Sequence, residues 1–221
     1  MRAADLALWQ LADSAFPAGG FAHSGGLEAA AQLGLVRGAA GLRAFAVEAL
    51  WQAGHLTLPF VLAAQADPAA HAALDRRLDA QLVAAVANRA SREQGQGLWR
   101  AAAAAFGGEP ARLAGEVARD GLPGHLPVAL GAVAGALGLE RLQAGRLHLF
   151  LVLRGVLSAA VRLGAAGPLE AQGLQAALAP ALEEALAACE ARSPSEAALT
   201  SPLLELAQAQ ADRLYSRLFR S

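Results

Sequence analysis

The 221-residue sequence is 55% hydrophobic but only 5% aromatic, with 18 basic and 19 acidic residues and a formal net charge of −1. Every basic residue is arginine, which excludes a lysine-bearing phosphate loop and lysine Schiff-base chemistry, and no basic cluster marks a nucleic-acid face. The single Cys189 rules out an intrachain disulfide, and among alanines it reads as a small buried hydrophobe.

Alanine and leucine, the strongest helix formers, dominate while β-branched residues are sparse, so the fold class is all-α. We expect a single helical domain over 1–221, with roughly eight to ten helices around a central apolar one. The first helix runs from Asp5 to Ala15 and is ended by Pro17. A glycine loop follows, then Leu27 to Leu35, then Leu42 to Ala66 with a kink at Pro59. Asp67-Pro68 offers a cap, after which Leu74, Leu78, Leu82 and Val86 keep one apolar stripe. Asn88 to Phe106 either continues that helix or restarts at Ser91, whose partner Gln94 fits a capping box. Gly107-Gly108 and Pro110 break the chain, and Asp120 to Pro127 is a loop.

Val128 to Leu139 carries Gly131, Gly135 and Gly138, spacings that let another helix backbone come close. Leu142 to Leu163 is apolar nearly all round and is expected to run through the core. Gly167-Pro168 starts a helix to Ala191, and Thr200-Ser201-Pro202 caps a last one reaching almost to Ser221. Spanning a bilayer takes about 20 consecutive apolar residues. Val128 to Leu139 is too short for this, and Leu147 to Leu163 is interrupted by Arg154 and Arg162. Asp5, Gln10 and Asp13 break any secretory leader. The expectation is a cytoplasmic protein that does not enter a membrane.

Leu11 to Glu28, Leu-Ala-Asp-Ser-Ala-Phe-Pro-Ala-Gly-Gly-Phe-Ala-His-Ser-Gly-Gly-Leu-Glu, is the most distinctive run. Four glycines within eight positions are costly in backbone entropy and imply a sharp turn or close packing. His23-Ser24 is the nearest approach to a nucleophile motif, but Ala22 stands where a nucleophile elbow needs glycine and no strand precedes it. The plainer reading has Ser24 capping the following helix and His23 bonding a loop carbonyl. The histidines at 23, 55, 71, 125 and 148 show no metal-ligand spacing, so neither a resident metal nor a cofactor is expected. Arg154 and Arg162 lie eight apart with Ser158 between them, either at the core's edge or on a partner face. Near the end of the sequence, Arg213, Tyr215, Arg217, Leu218 and Phe219 form a segment of interface composition. It is read as a tail, about 213–221, ordered by a partner; the alternative is an amphipathic helix folded back on its own core.

Several blocks together resemble the UreF family of urease accessory proteins. They are the Leu11–Glu28 run, Arg89-Ala-Ser-Arg-Glu-Gln-Gly95, His125-Leu-Pro-Val, Leu153-Arg-Gly-Val-Leu-Ser-Ala-Ala-Val-Arg-Leu-Gly with Gly167-Pro-Leu-Glu-Ala-Gln172, and Tyr215-Ser-Arg-Leu-Phe-Arg-Ser221. The resemblance implies an all-α, dimerising co-chaperone that is not an enzyme. Its implied partners are UreD (UreH in some organisms), the GTPase UreG and apo-urease, into which nickel is inserted. A role in regulating UreG's GTP hydrolysis is also implied. Arg217 matches the family's tail arginine, associated with UreG recruitment. Phe21 stands where other members have tyrosine; His23, Ser24 and Glu28 match the motif without an assigned role. Phe21 and Arg217 are expected on one UreG-facing surface, with Tyr215, Leu218 and Phe219 anchoring the tail. The rival readings are a small helical hydrolase using Ser24 and a nickel carrier.

Overall fold

The computed structural model describes residues 3–221. Twelve α-helices are found among them and no strand. In order they are α1 (Ala3–Ala12), α2 (Leu27–Gln32), α3 (Gly38–Leu56), α4 (Leu58–Ala66), α5 (His71–Gln81) and α6 (Ala85–Phe106). Then follow α7 (Gly108–Arg119), α8 (Leu126–Ala136), α9 (Arg141–Arg162), α10 (Pro168–Ala177), α11 (Ala179–Cys189) and α12 (Pro202–Gln210). Proline marks the openings: Pro59, Pro127, Pro168, Pro180 and Pro202 each sit in the first turn of a helix. There the missing N–H costs nothing, because first-turn donors have no intrahelical partner.

The count exceeds the expected eight to ten because three expected features were drawn differently. The segment expected as one kinked helix over Leu42–Ala66 is two helices, parted at Thr57, with Pro59 opening the second. The segment from Pro168 to Ala191 is likewise parted at Leu178, before Pro180. Gly107 and Gly108 do break the chain, with φ of 62° and 48°, but a helix restarts at once as α7. Ser91 does not start a helix: α6 begins at Ala85, and the Ser91 hydroxyl is turned to His125 instead. The last helix stops at Gln210, and a 3₁₀ turn over Ala211–Arg213 leads into an irregular tail.

Two buried apolar clusters share their walls. One gathers α3, α9, α10 and α11 with Leu27, Leu204 and Phe219; the other gathers α1, α6, α7 and α8 around Phe60, Leu98, Trp99 and Leu130. Helix α4 gives Leu58 and Leu62 to the first and Phe60 and Val61 to the second, while α9 gives Leu153 and Leu147 in the same way. Helix α9 is long and apolar enough to cross a bilayer, yet more than half of that window is buried inside the fold, as the expected central helix requires. Helix α8 packs closely on α4 because its Gly131 and Gly135 lie against α4: a Cβ there would fall 2.2 Å from the Val61 carbonyl oxygen and 2.3 Å from that of Gln65.

Candidate functional site

The glycine loop between α1 and α2 is a receptor for the tail. A short 3₁₀ turn over Gly20–Ala22 leads to His23 and Ser24, and Gly26, at φ 90°, opens α2. Gly26 is required twice over. L-residues rarely adopt that φ, and a Cβ there would stand 2.8 Å from Gln208 Cγ on α12.

The tail's backbone is held by this loop and by α2. The buried Glu28 carboxylate accepts the Leu218 N–H at 2.6 Å and the Phe219 N–H at 3.1 Å, one on each oxygen. The Arg220 N–H donates to the Ala22 carbonyl at 2.8 Å. The Ser221 carbonyl accepts from the Ser24 N–H at 2.7 Å and the Ser24 hydroxyl at 2.6 Å. His23 Nδ1 and the Ser221 hydroxyl are hydrogen-bonded at 2.8 Å, and the Gln32 amide donates to the Ser216 carbonyl at 2.8 Å. Burial lowers the pKa of His23, opposed by the Glu93 carboxylate, whose oxygen lies 3.7 Å from Nε2.

Arg162 locks the other side. Its guanidinium carbon lies 3.6 Å from the Phe21 ring centroid and 4.3 Å from that of Phe219, and Nη1 donates to the Phe21 carbonyl. Such cation–π contacts hold a half-exposed arginine in place. Arg154, two turns earlier on the same face, donates to the Ala12 carbonyl and lies over Phe150, and burial lowers its pKa. Both arginines of the α9 stripe thus tie the N-terminal segment down.

On the solvent side, Asp212 Oδ1 accepts from Arg217 Nη1 at 2.8 Å while both its oxygens accept from Arg89 Nη2 at 2.9 Å. Those two guanidiniums hold the Asp212 carboxyl below its ordinary pKa. Arg220 Nη1 lies 3.6 Å from Glu93. These five side chains rim an open pocket of about 490 Å³. A second, mostly apolar cavity of about 350 Å³ lies behind the tail, lined by residues of both clusters and by Phe219 and Ser221.

Of the residues singled out in the sequence, His23, Ser24, Glu28 and Phe219 are buried in the seat of the tail. Phe21, Arg213, Tyr215, Arg217 and Leu218 are exposed, Phe21 at 71% and Tyr215 fully. The tail is therefore not anchored by Tyr215 and Leu218, whose side chains face solvent; Phe219 and the backbone bonds anchor it. The N-cap of α2 is Gly26, which has no side-chain cap; Ser24, two residues earlier, only accepts the Glu28 N–H at a long 3.4 Å, and His23 bonds the Ser221 hydroxyl instead of a loop carbonyl. In the chain by itself the tail already has a seat.

Sequence reasoning missed a clamp around His125. The buried Asp75 carboxylate accepts the backbone N–H groups of Gly124 and His125, each at 2.7 Å. A carboxylate can only accept, so His125 Nε2–H donates to Asp79 at 3.0 Å and Nδ1 accepts from the Ser91 hydroxyl at 3.1 Å. Burial lowers the His125 pKa, and its ring has no exposed surface, so the array pins α5, α6 and a loop together. Gly95 belongs to the same junction, where a Cβ would fall 1.9 Å from the Gly124 carbonyl oxygen.

The remaining histidines also make local contacts. His148 Nε2 lies 2.7 Å from the Thr57 hydroxyl, His71 Nδ1 bonds the Pro68 carbonyl, and His55 stacks on Trp51. Among the described residues no three of His, Cys, Asp and Glu converge on a metal position, and no histidine nitrogen is bonded to the Ser24 hydroxyl.

The class these observations define is an all-helical fold in which a glycine loop, one face of α6 and a seated tail form a composite surface. The comparisons with known proteins give this class its family. The sequence matches the UreF family over residues 36–179. It is 40% identical to urease accessory protein F of Arabidopsis thaliana, covering 96% of this chain and 91% of the relative. It is 38% identical to urease accessory protein F of Oryza sativa subsp. indica, covering 96% and 83%. With urease accessory protein UreF of Mycobacterium sp. (strain JLS) the identity is 37%, covering 93% and 94%. The chain belongs to the UreF family of urease accessory proteins, and membership implies a role in urease maturation.

Proposed function

We propose that this chain is the scaffold of a cytoplasmic urease-maturation complex and has no catalytic role of its own. In that reading it pairs with UreD (UreH) and forms a homodimer within the complex. It recruits the GTPase UreG to apo-urease for nickel insertion and tunes GTP hydrolysis there; nickel is the cargo. The recruiting face is Phe21, Arg213, Tyr215, Arg217 and Leu218, held outward by His23, Ser24, Glu28 and Phe219. One observation supports this above the others. The tail is fixed by its backbone, which leaves Tyr215 and Arg217 exposed, and those are residue types that dominate interface energetics. A hydrolase using Ser24 is disfavoured because that hydroxyl proton is donated to the Ser221 carbonyl.

The test is urease activation in cells with a full urease gene set and nickel, in which this chain replaces the resident UreF. Activity should return, and Arg217→Ala should weaken UreG capture by roughly thirtyfold, the effect of losing a hot spot of about 2 kcal/mol, with UreD binding intact. Undiminished capture by Arg217→Ala, or no activation when the chain is paired with its cognate UreD, refutes the reading.

A further inference from the structure

The block Arg89–Gly95 has no part in the function argued so far, yet its exposed side faces the tail. Arg89 and Glu93 are one helical turn apart on α6, so they share a face. Arg89 meets Asp212, and Glu93 meets Arg220 and His23. Arg217 is thus one half of an arrangement whose other half lies 128 positions earlier in the sequence.

The geometry is that of a partly used clamp. Asp212 Oδ1 accepts from both arginines at once, drawing together two guanidiniums that otherwise repel. Arg89 spends only Nη2 on this contact and Arg217 only Nη1. An arginine carries five N–H donors in a planar fork matched to a carboxylate. The remaining nitrogens of both side chains have no protein partner among the described residues. Both side chains are 46% exposed on the rim of the open pocket. Three arginines and two carboxylates line that pocket, so its net charge is positive.

We propose that Arg89 and Arg217, braced by Asp212, form a paired-guanidinium clamp that takes a carboxylate on the surface of the protein partner. Arg89 contacts the partner directly, and Asp212 is a positioning residue. The inference rests on the UreG-capture reading given above and names the chemistry of that contact. It also gives the α6 block a reason for its composition: Gly95 seats the helix, and Arg89 and Glu93 present the face.

The test measures capture of purified cognate UreG by the chain in complex with UreD, across a range of salt concentrations. Arg89→Ala should weaken capture by roughly tenfold or more, as expected for an interface arginine, and should flatten its salt dependence. Asp212→Asn should also weaken it, because the two guanidiniums are no longer drawn together. Amide exchange at Leu218 and Phe219 should be unchanged in Arg89→Ala, since their acceptor is Glu28. If the wild type captures UreG and Arg89→Ala captures it equally well, the clamp is wrong while the recruiting role stands. Faster exchange of those amides in Arg89→Ala makes the residue a structural support and overturns its contact role. Tighter capture by Asp212→Asn makes Asp212 a competitor for the arginines and overturns the brace. No capture by the wild type removes the recruiting role and the clamp together.

Discussion

Replacing Glu28 by Gln isolates the bond that seats the tail. The wild-type carboxylate places one oxygen before each of two consecutive N–H groups, at 2.6 and 3.1 Å. Glutamine has nearly the same volume but only one acceptor oxygen. Its NH₂ would confront either the Leu218 or the Phe219 N–H, donor to donor. The loss is one charge-assisted bond together with a buried N–H left unsatisfied, about 2–3 kcal/mol. That energy falls on the docked state of the tail and leaves the rest of the fold unchanged, so the opening equilibrium should rise roughly 30- to 140-fold at about 1.4 kcal/mol per decade. Hydrogen exchange reads this directly. The Leu218 and Phe219 amides should lose protection by that factor, while amides in the buried part of α9 keep theirs. Wild-type protection at both positions would refute the role given to the carboxylate. Equal acceleration throughout α9 would show that Glu28 supports the whole fold, and the tail would not be separable from it.

Two further outcomes follow from the packing. Gly95→Ala should improve intrinsic helix propensity yet destabilise the protein, because its Cβ would fall 1.9 Å from the Gly124 carbonyl oxygen; overpacking of about 3 kcal/mol lowers Tm by roughly 6–12 °C in a domain of this size, and an unchanged or higher Tm in a thermal melt refutes the contact. Burial depresses the His148 pKa from 6.5 to about 4, so the unfolded chain takes up a proton before the folded one does. The stability from neutral His148 is fully present above about pH 6.5 and is lost as pH falls toward about 4, a change of about 3 kcal/mol by linkage. His148→Gln should flatten that part of the urea-denaturation profile, and an unaltered profile would show that His148 does not carry it.

Much of the fold is legible in the sequence because its signals are local. Pro168 and Pro202 open helices where the sequence places them, while Pro127, read as the end of a loop, sits in the first turn of α8; the i, i+4 glycines Gly131 and Gly135 announce the close α4–α8 crossing. The breaks at Thr57 and Leu178 are hidden because apolar residues continue across them, and a pattern of core-facing side chains does not record a change of helix axis. The end of α12 is hidden for a different reason. Asp212 to Arg220 contains no helix breaker, and local propensity alone would carry the helix through. The N–H groups of Leu218, Phe219 and Arg220 find Glu28 and the Ala22 carbonyl instead of carbonyls four residues back.

The candidate site divides in the same way. Its blocks stand out one by one in the sequence, but their chemistry lies in contacts between blocks. Glu28 looks like a first-turn helix acid until its partners, 190 and 191 residues away, are known. Ser24 reads as a cap, yet Gly26 is the N-cap and the Ser24 hydroxyl's short bond goes to Ser221. Arg162 reads as an edge charge, whereas it joins Phe21 of the loop to Phe219 of the tail. Each of these side chains invites a local reading and serves a distant segment, so local reasoning stops at the first explanation. The glycines reveal the distant role, because they have no side chain to account for locally. Gly26 lies under Gln208 of α12, beside the very residues that hold the tail. Gly26 thus marks where the glycine loop and α12 are brought together, as Gly131 and Gly135 mark the core crossing of α8 with α4.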